Sequence, residues 1–251
     1  MQSRNPDAFK EGVAHLMFAG VIDAVIRRKS TFLMDNRWQN VPFIVHRATR
    51  MQVLLSHATA IPPLLEAMDS DTDPQSSQAG LLKILDTLRD WEDSFVADSM
   101  LHQSVGPSHF GLPIDSLLLP NPCFTFLDVS HANCFTHCWA FRIVCLIELA
   151  KLEATKVGGP LNLPAVEFDS RAEVKDLGYK ICRALPFLLQ KDMSLYGSMS
   201  AGYPVHVVSE SLRTMQLEDQ NLITWSTAIK EHIQNRSIVL YEDMDGPASS
   251  A

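Results

Sequence analysis

The stretch from Val129 to Lys156, VSHANCFTHCWAFRIVCLIELAKLEATK, constrains the fold more than any other part of the chain. Its middle is apolar nearly all the way round, and its ends are polar. A helix with that pattern packs on several sides instead of lying on a surface. Its apolar run also falls short of the roughly 20 residues that span a bilayer. Ser130 is expected to cap the start, since its hydroxyl can accept from a free N–H in the first turn. Gly158, Gly159 and Pro160 are expected to end it. The pattern predicts a central helix over about 129–156 and, with it, an all-α domain. If the face carrying Cys138 is buried, a Cys138→Asp substitution costs roughly 3 kcal/mol or more, read as a lowered melting temperature.

The rest of the chain fits around that helix. Helical spacing runs through Leu16, Met17, Ile22, Val25 and Ile26, and Arg27, Arg28 and Lys29 place positive charge at a helix C-terminus. Trp38 and Pro42 are expected to fold the following loop back onto the core. A second helix is expected from Pro42 or His46 to about Ala60, interrupted by Pro62 and Pro63, with a short helical piece continuing to Met68. Residues 70–78 are polar and turn-rich and are read as a flexible loop. A long helix is expected from about Ala79 to Leu101, with Leu81, Leu85, Leu88, Trp91 and Phe95 on its apolar face. Pro107, Pro113, Pro120 and Pro122 make the next stretch an extended crossing segment. A helix to about Leu189, kinked or broken at Pro186, precedes a flexible link over 193–204 and two last helices. A disordered tail over 245–251 closes the chain. The reading is one helical domain over 1–251, an all-α multi-helix bundle of about seven or eight helices around the central apolar one.

Composition excludes several functions. The 251 residues, 46% of them hydrophobic, suffice for a sizeable core. A net charge of −8 without a basic patch argues against direct DNA contact. The first twenty residues carry Arg4, Asp7, Lys10 and Glu11, unlike a secretory signal, and no membrane partner is expected. Five cysteines, three of them in one predicted helix, point to free thiols in a reducing compartment, nuclear or cytoplasmic. There is no G-x-S-x-G, no phosphate-cradling glycine loop and no H-E-x-x-H.

Two groups of residues carry chemistry. His131, Cys134, Cys138, Arg142 and Cys145 step by three and four along the central helix and share a face, with His137 on another. Histidine and cysteine so spaced can hold a metal, or can activate a thiolate. A packed core face explains them better, because no CxxC pair is present and a cysteine buried in an apolar helix is inert. No metal or cofactor is assigned. The second group is Tyr196, Tyr203 and His206, around the glycine-containing link, which could supply hydrogen bonds at a pocket mouth. Ordinary interfacial aromatics are the plainer reading. Asp90, Glu92 and Asp93 around Trp91 look like a solvated helix face. The candidate ligand-binding residues are therefore His131, His137, Arg142, Tyr196, Tyr203 and His206, with no catalytic residue named.

Four stretches taken together carry a resemblance. They are IDAVIRRKSTFL at 22–33 with Trp38 and Pro42, HANCFTHCWAFRI at 131–143, ICRALPFLL at 181–189 with YPVHVV at 203–208, and Trp225. In this order, over about residues 6 to 236, the chain resembles the all-helical regulatory domain of fungal zinc-cluster transcription factors. The family's DNA-reading module needs six closely spaced cysteines, and the first cysteine here is Cys123. The resemblance thus implies the regulatory half only: a helical domain that senses a small apolar metabolite or contacts a protein partner. The other reading is an enzyme of secondary metabolism on the same scaffold, promoting cyclisation or isomerisation of an apolar compound by orientation and a few hydrogen-bond donors. A truncated gene, with a zinc cluster encoded just upstream, is the third.

Overall fold

Helix α6, Val129–Val157, forms where the sequence predicts the central apolar helix. In the computed structural model, which describes residues 6–44, 47–70, 73–98, 104–157 and 170–244, all of 132–150 is buried except half-buried Val144. Of residues 6–15, 42, 96–98, 156–157, 194–196 and 236–244 only the backbone is described. Cys138 has no exposed surface, the condition on which its aspartate substitution is costly. The cap differs from expectation. Asp128, not Ser130, accepts the His131 backbone N–H at 2.9 Å, because the helix begins at Val129 as expected and Asp128 is the residue just before it, as good a cap as serine. The expected stop at 158–160 lies outside the described residues.

The chain is an all-α multi-helix bundle, with a single two-residue strand pair among the described residues. Its elements group into two compact units. One holds residues 1–97 and 148–166, and the other holds 98–147 and 167–251.

In the first unit, α1 (Pro6–Arg27) lies against α3 (Arg50–Ala58) and α4 (Ile61–Asp69). Met17, Val21, Leu54, Leu55, Ile61 and Leu65 form its buried side. Pro62 and Pro63 stand where one helix stops and the next begins, as expected, and they lie in the first turn of α4, which needs no N–H from them. α3 starts at Arg50, where Thr49 and Gln52 form a reciprocal capping box. A one-turn helix α2 (Asn36–Gln39) places Trp38 edge-on to Phe32, with ring centres 5.3 Å apart. α5 (Pro74–Asp98) begins earlier than expected, so 74–78 belong to a helix and not to a polar loop. Asp73 makes this possible by accepting the Ser76 backbone N–H at 3.0 Å. Leu81, Leu85, Leu88, Trp91 and Phe95 are buried along it, and Asp90 and Asp93 face solvent.

In the second unit, α7 (Ser170–Leu189), α8 (Ser194–Thr214) and α9 (Gln220–Met244) pack on one another. Pro186 stays inside α7 without ending it. The proline-rich segment before α6 makes short 3-10 turns and pairs β1 (Ser104–Val105) with β2 (Cys123–Phe124), antiparallel. The flexible link expected over 193–204 is helical from Ser194 onward. Its glycine serves close packing: a Cβ on Gly197 would sit 1.8 Å from the Leu188 carbonyl oxygen of α7. The expected tail over 245–251 lies outside the described residues.

No described helix is long and apolar enough to cross a membrane.

Candidate functional site

The two groups read from the sequence meet in part, on the facing sides of α6 and α8 in the second unit. Asn133 of α6 donates through Nδ2 to the Ser200 hydroxyl of α8 at 3.1 Å. One turn further on, the His137 ring stacks on Tyr203 with centres 5.9 Å apart and planes 19° from parallel. Phe141, another turn on, lies 5.7 Å from the Tyr203 ring. Residue numbers thus rise together along the two helices through this seam.

The protonation of the pair follows from its surroundings. His137 has no exposed surface, and its Nδ1 lies 2.9 Å from the Asn133 carbonyl oxygen. A carbonyl only accepts, so Nδ1 carries the proton and Nε2 presents its lone pair. Burial lowers the His137 pKa to about 4, against the opposing pull of that hydrogen bond. Burial pushes the Tyr203 hydroxyl up, and neighbouring Cys145 adds to the rise. Both rings are therefore neutral at pH 7. The Tyr203 Oη and the Ser198 Oγ are buried without a hydrogen-bond partner among the described residues.

The neutral histidine gives a measurable pH dependence. Unfolded, His137 takes up a proton near pH 6.5; folded, it resists until about pH 4. Its contribution is intact above the unfolded value and is lost as pH falls toward the folded one, by up to about 3 kcal/mol. Urea denaturation between pH 7.5 and 4 should show this decline, and His137→Gln should flatten it. Burial lowers His57 in the same direction, so the difference between wild type and variant isolates His137.

The other candidates lie apart from this pair. The His131 ring nitrogen is 2.8 Å from Asp128 at the helix start. Burial opposes ionisation of Asp128, yet its bonds to His131 hold the carboxyl below the usual range. Arg142 is ion-paired with Glu173 of α7 at 2.5 Å. His206 is exposed, although it is only three residues from buried Tyr203. Tyr196 falls in the first turn of α8, and its side chain is outside the described residues.

The cysteines behave as core residues. Cys134, Cys138 and Cys145 have no exposed surface. Burial raises the Cys182 thiol to about 12, and burial outweighs the Arg183 charge to hold Cys123 at about 11. Such thiols carry little thiolate at neutral pH and are poor nucleophiles. Among the described residues no three histidine, cysteine or carboxylate side chains gather as a metal site would require.

Sequence reasoning missed Asn133, Phe141, Ser198 and Ser200. The serines were hidden inside a segment read as a loop, and Asn133 among the apolar residues of α6. No protein-family model, no curated protein and no solved structure matches the chain.

Proposed function

We propose that the chain is a regulatory, effector-binding protein built on the plan of the regulatory domain of fungal zinc-cluster transcription factors, and linked to secondary metabolism. It holds a small apolar metabolite at the α6–α8 seam and acts from the nucleus or cytoplasm without touching DNA itself. The observation that supports this most is the buried, uncharged His137–Tyr203 pair with its partnerless hydroxyl. Small-molecule sites combine apolar and aromatic walls with a few polar groups in this manner. A ligand there regulates by binding one of two conformations more tightly than the other. The pair suits catalysis less well. A general acid or base works best with a pKa near the operating pH, and burial moves His137 down and Tyr203 up, away from it.

The test is native mass spectrometry of the purified chain after incubation with an extract of its source cells. A retained small molecule that later leaves unchanged is the expected result. A consumed compound with a new isomeric product, absent from a heat-killed control, would replace this reading with the enzyme. Apo protein throughout would replace it with a protein-binding role.

A further inference from the structure

The Tyr203 hydroxyl has an unusual position. Only 8% of the residue is exposed, and the oxygen has no partner among the described residues. A buried hydroxyl left unpaired costs about 1–3 kcal/mol, so the fold tolerates it at a loss unless something else accepts its proton. The ring is fixed by its stack on His137 and its contact with Phe141, which limits where the hydroxyl can turn. The neighbours described around it carry no net charge to offer. Among the described residues beside it, His137 is neutral and Phe141 and Cys145 are fully buried and uncharged. A carboxylate placed here would be buried without a counter-ion, which costs far more than burying a neutral carbonyl that receives one hydrogen bond.

We infer that the Tyr203 hydroxyl donates to an uncharged acceptor oxygen of the ligand, a ketone, aldehyde, ester or amide carbonyl, and that the subsite rejects carboxylates. This rests on the reading of the α6–α8 seam as an effector site. It narrows the effector to a neutral, carbonyl-bearing compound with a flat apolar body that packs beside Phe141.

Two probes of equal size decide it: acetophenone, neutral with one carbonyl, and benzoate, its charged counterpart. Binding to the full chain is followed by ligand-observed NMR and by melting temperature. Acetophenone should bind wild type, and Tyr203→Phe should weaken it at least tenfold while leaving the fold intact, since only an unpaired oxygen is removed. Benzoate should not bind. Equal binding of benzoate, or undiminished acetophenone binding by Tyr203→Phe, overturns the inference. So does a wild type that binds neither probe while Tyr203→Phe melts higher, the signature of an ordinary core tyrosine. The extract experiment repeated on Tyr203→Phe separates the two levels. A molecule retained equally by both proteins ends this inference and leaves the effector reading standing; nothing retained by wild type ends that reading itself.

Discussion

Gly197→Ala is expected to cost about 4 kcal/mol or more, enough to abolish folding of a marginally stable chain. Overpacking a core usually costs about 1–3 kcal/mol because side chains can shift. Here the new methyl would meet the Leu188 carbonyl oxygen at 1.8 Å and its carbon at 2.9 Å, both backbone atoms. Relief would require the last turn of α7 and the first of α8 to separate, which puts the change among the exceptional ones. Gly202→Ala is the control. It sits five residues further along the same helix, and an added Cβ meets nothing within 4 Å. Alanine there should stabilise by about 0.5–1 kcal/mol through lower backbone entropy in the unfolded chain. Urea midpoints of the two variants should move in opposite directions. Equal shifts would mean that α7 and α8 do not approach as closely as described.

Arg28→Ala should cost about 4 kcal/mol, in the range for breaking a buried ion pair. Arg28 stands just past α1 with a left-handed backbone, φ 55°. Its N–H bonds the Val25 carbonyl and the Lys29 N–H bonds the Ala24 carbonyl, the double closure that normally calls for glycine. An arginine is kept there for its side chain. Nε and Nη2 hold Asp69, while Nη1 and Nη2 hold both oxygens of Glu148 at 2.9 and 3.0 Å. The Glu148 side chain is only 5% exposed, so losing Arg28 leaves a buried carboxylate with half-exposed Lys151. Arg28→Gly should lose the same bonds yet recover about 1 kcal/mol, because glycine adopts positive φ without strain. Denaturant melts of the pair would show that ordering. A Gly variant no better than Ala would remove the backbone from the account.

The sequence made the buried helix plain because α6 needs no partner to be recognised: its apolar run is local information. Its cap lies two residues before the expected one because Asp128 and Ser130 are both sound caps and only the register chooses between them. The link before Tyr203 looks loose in the sequence for a different reason. Gly197, Gly202 and Pro204 weaken a helix by propensity, and only the approach of Leu188 shows why a glycine belongs at 197. Pro62 and Pro63 mark the break between α3 and α4 in the sequence, and only the structure shows that they lie in the first turn of the second of these helices. The pairing of His137 with Tyr203 was not legible at all. No spacing rule links two residues so far apart, and the pattern predicts a helix only after the 193–204 link, which leaves Ser198, Ser200 and Tyr203 itself outside it, whereas α8 begins at Ser194.

The chain passes between its two compact units three times, after residues 97, 147 and 166, and α6 is divided at the middle crossing. Neither unit is therefore a continuous piece of sequence. A fragment ending at Ala97 would keep Arg28 and Asp69 and lose Glu148. Its complement would keep Glu148 with nothing but Lys151 to neutralise it. Truncation is thus the wrong way to divide this protein, and deletion libraries should yield insoluble fragments from both sides of residue 97. Mixing the two fragments is the informative experiment: recovery of helical signal on mixing alone would show that each half supplies what the other's fold is missing.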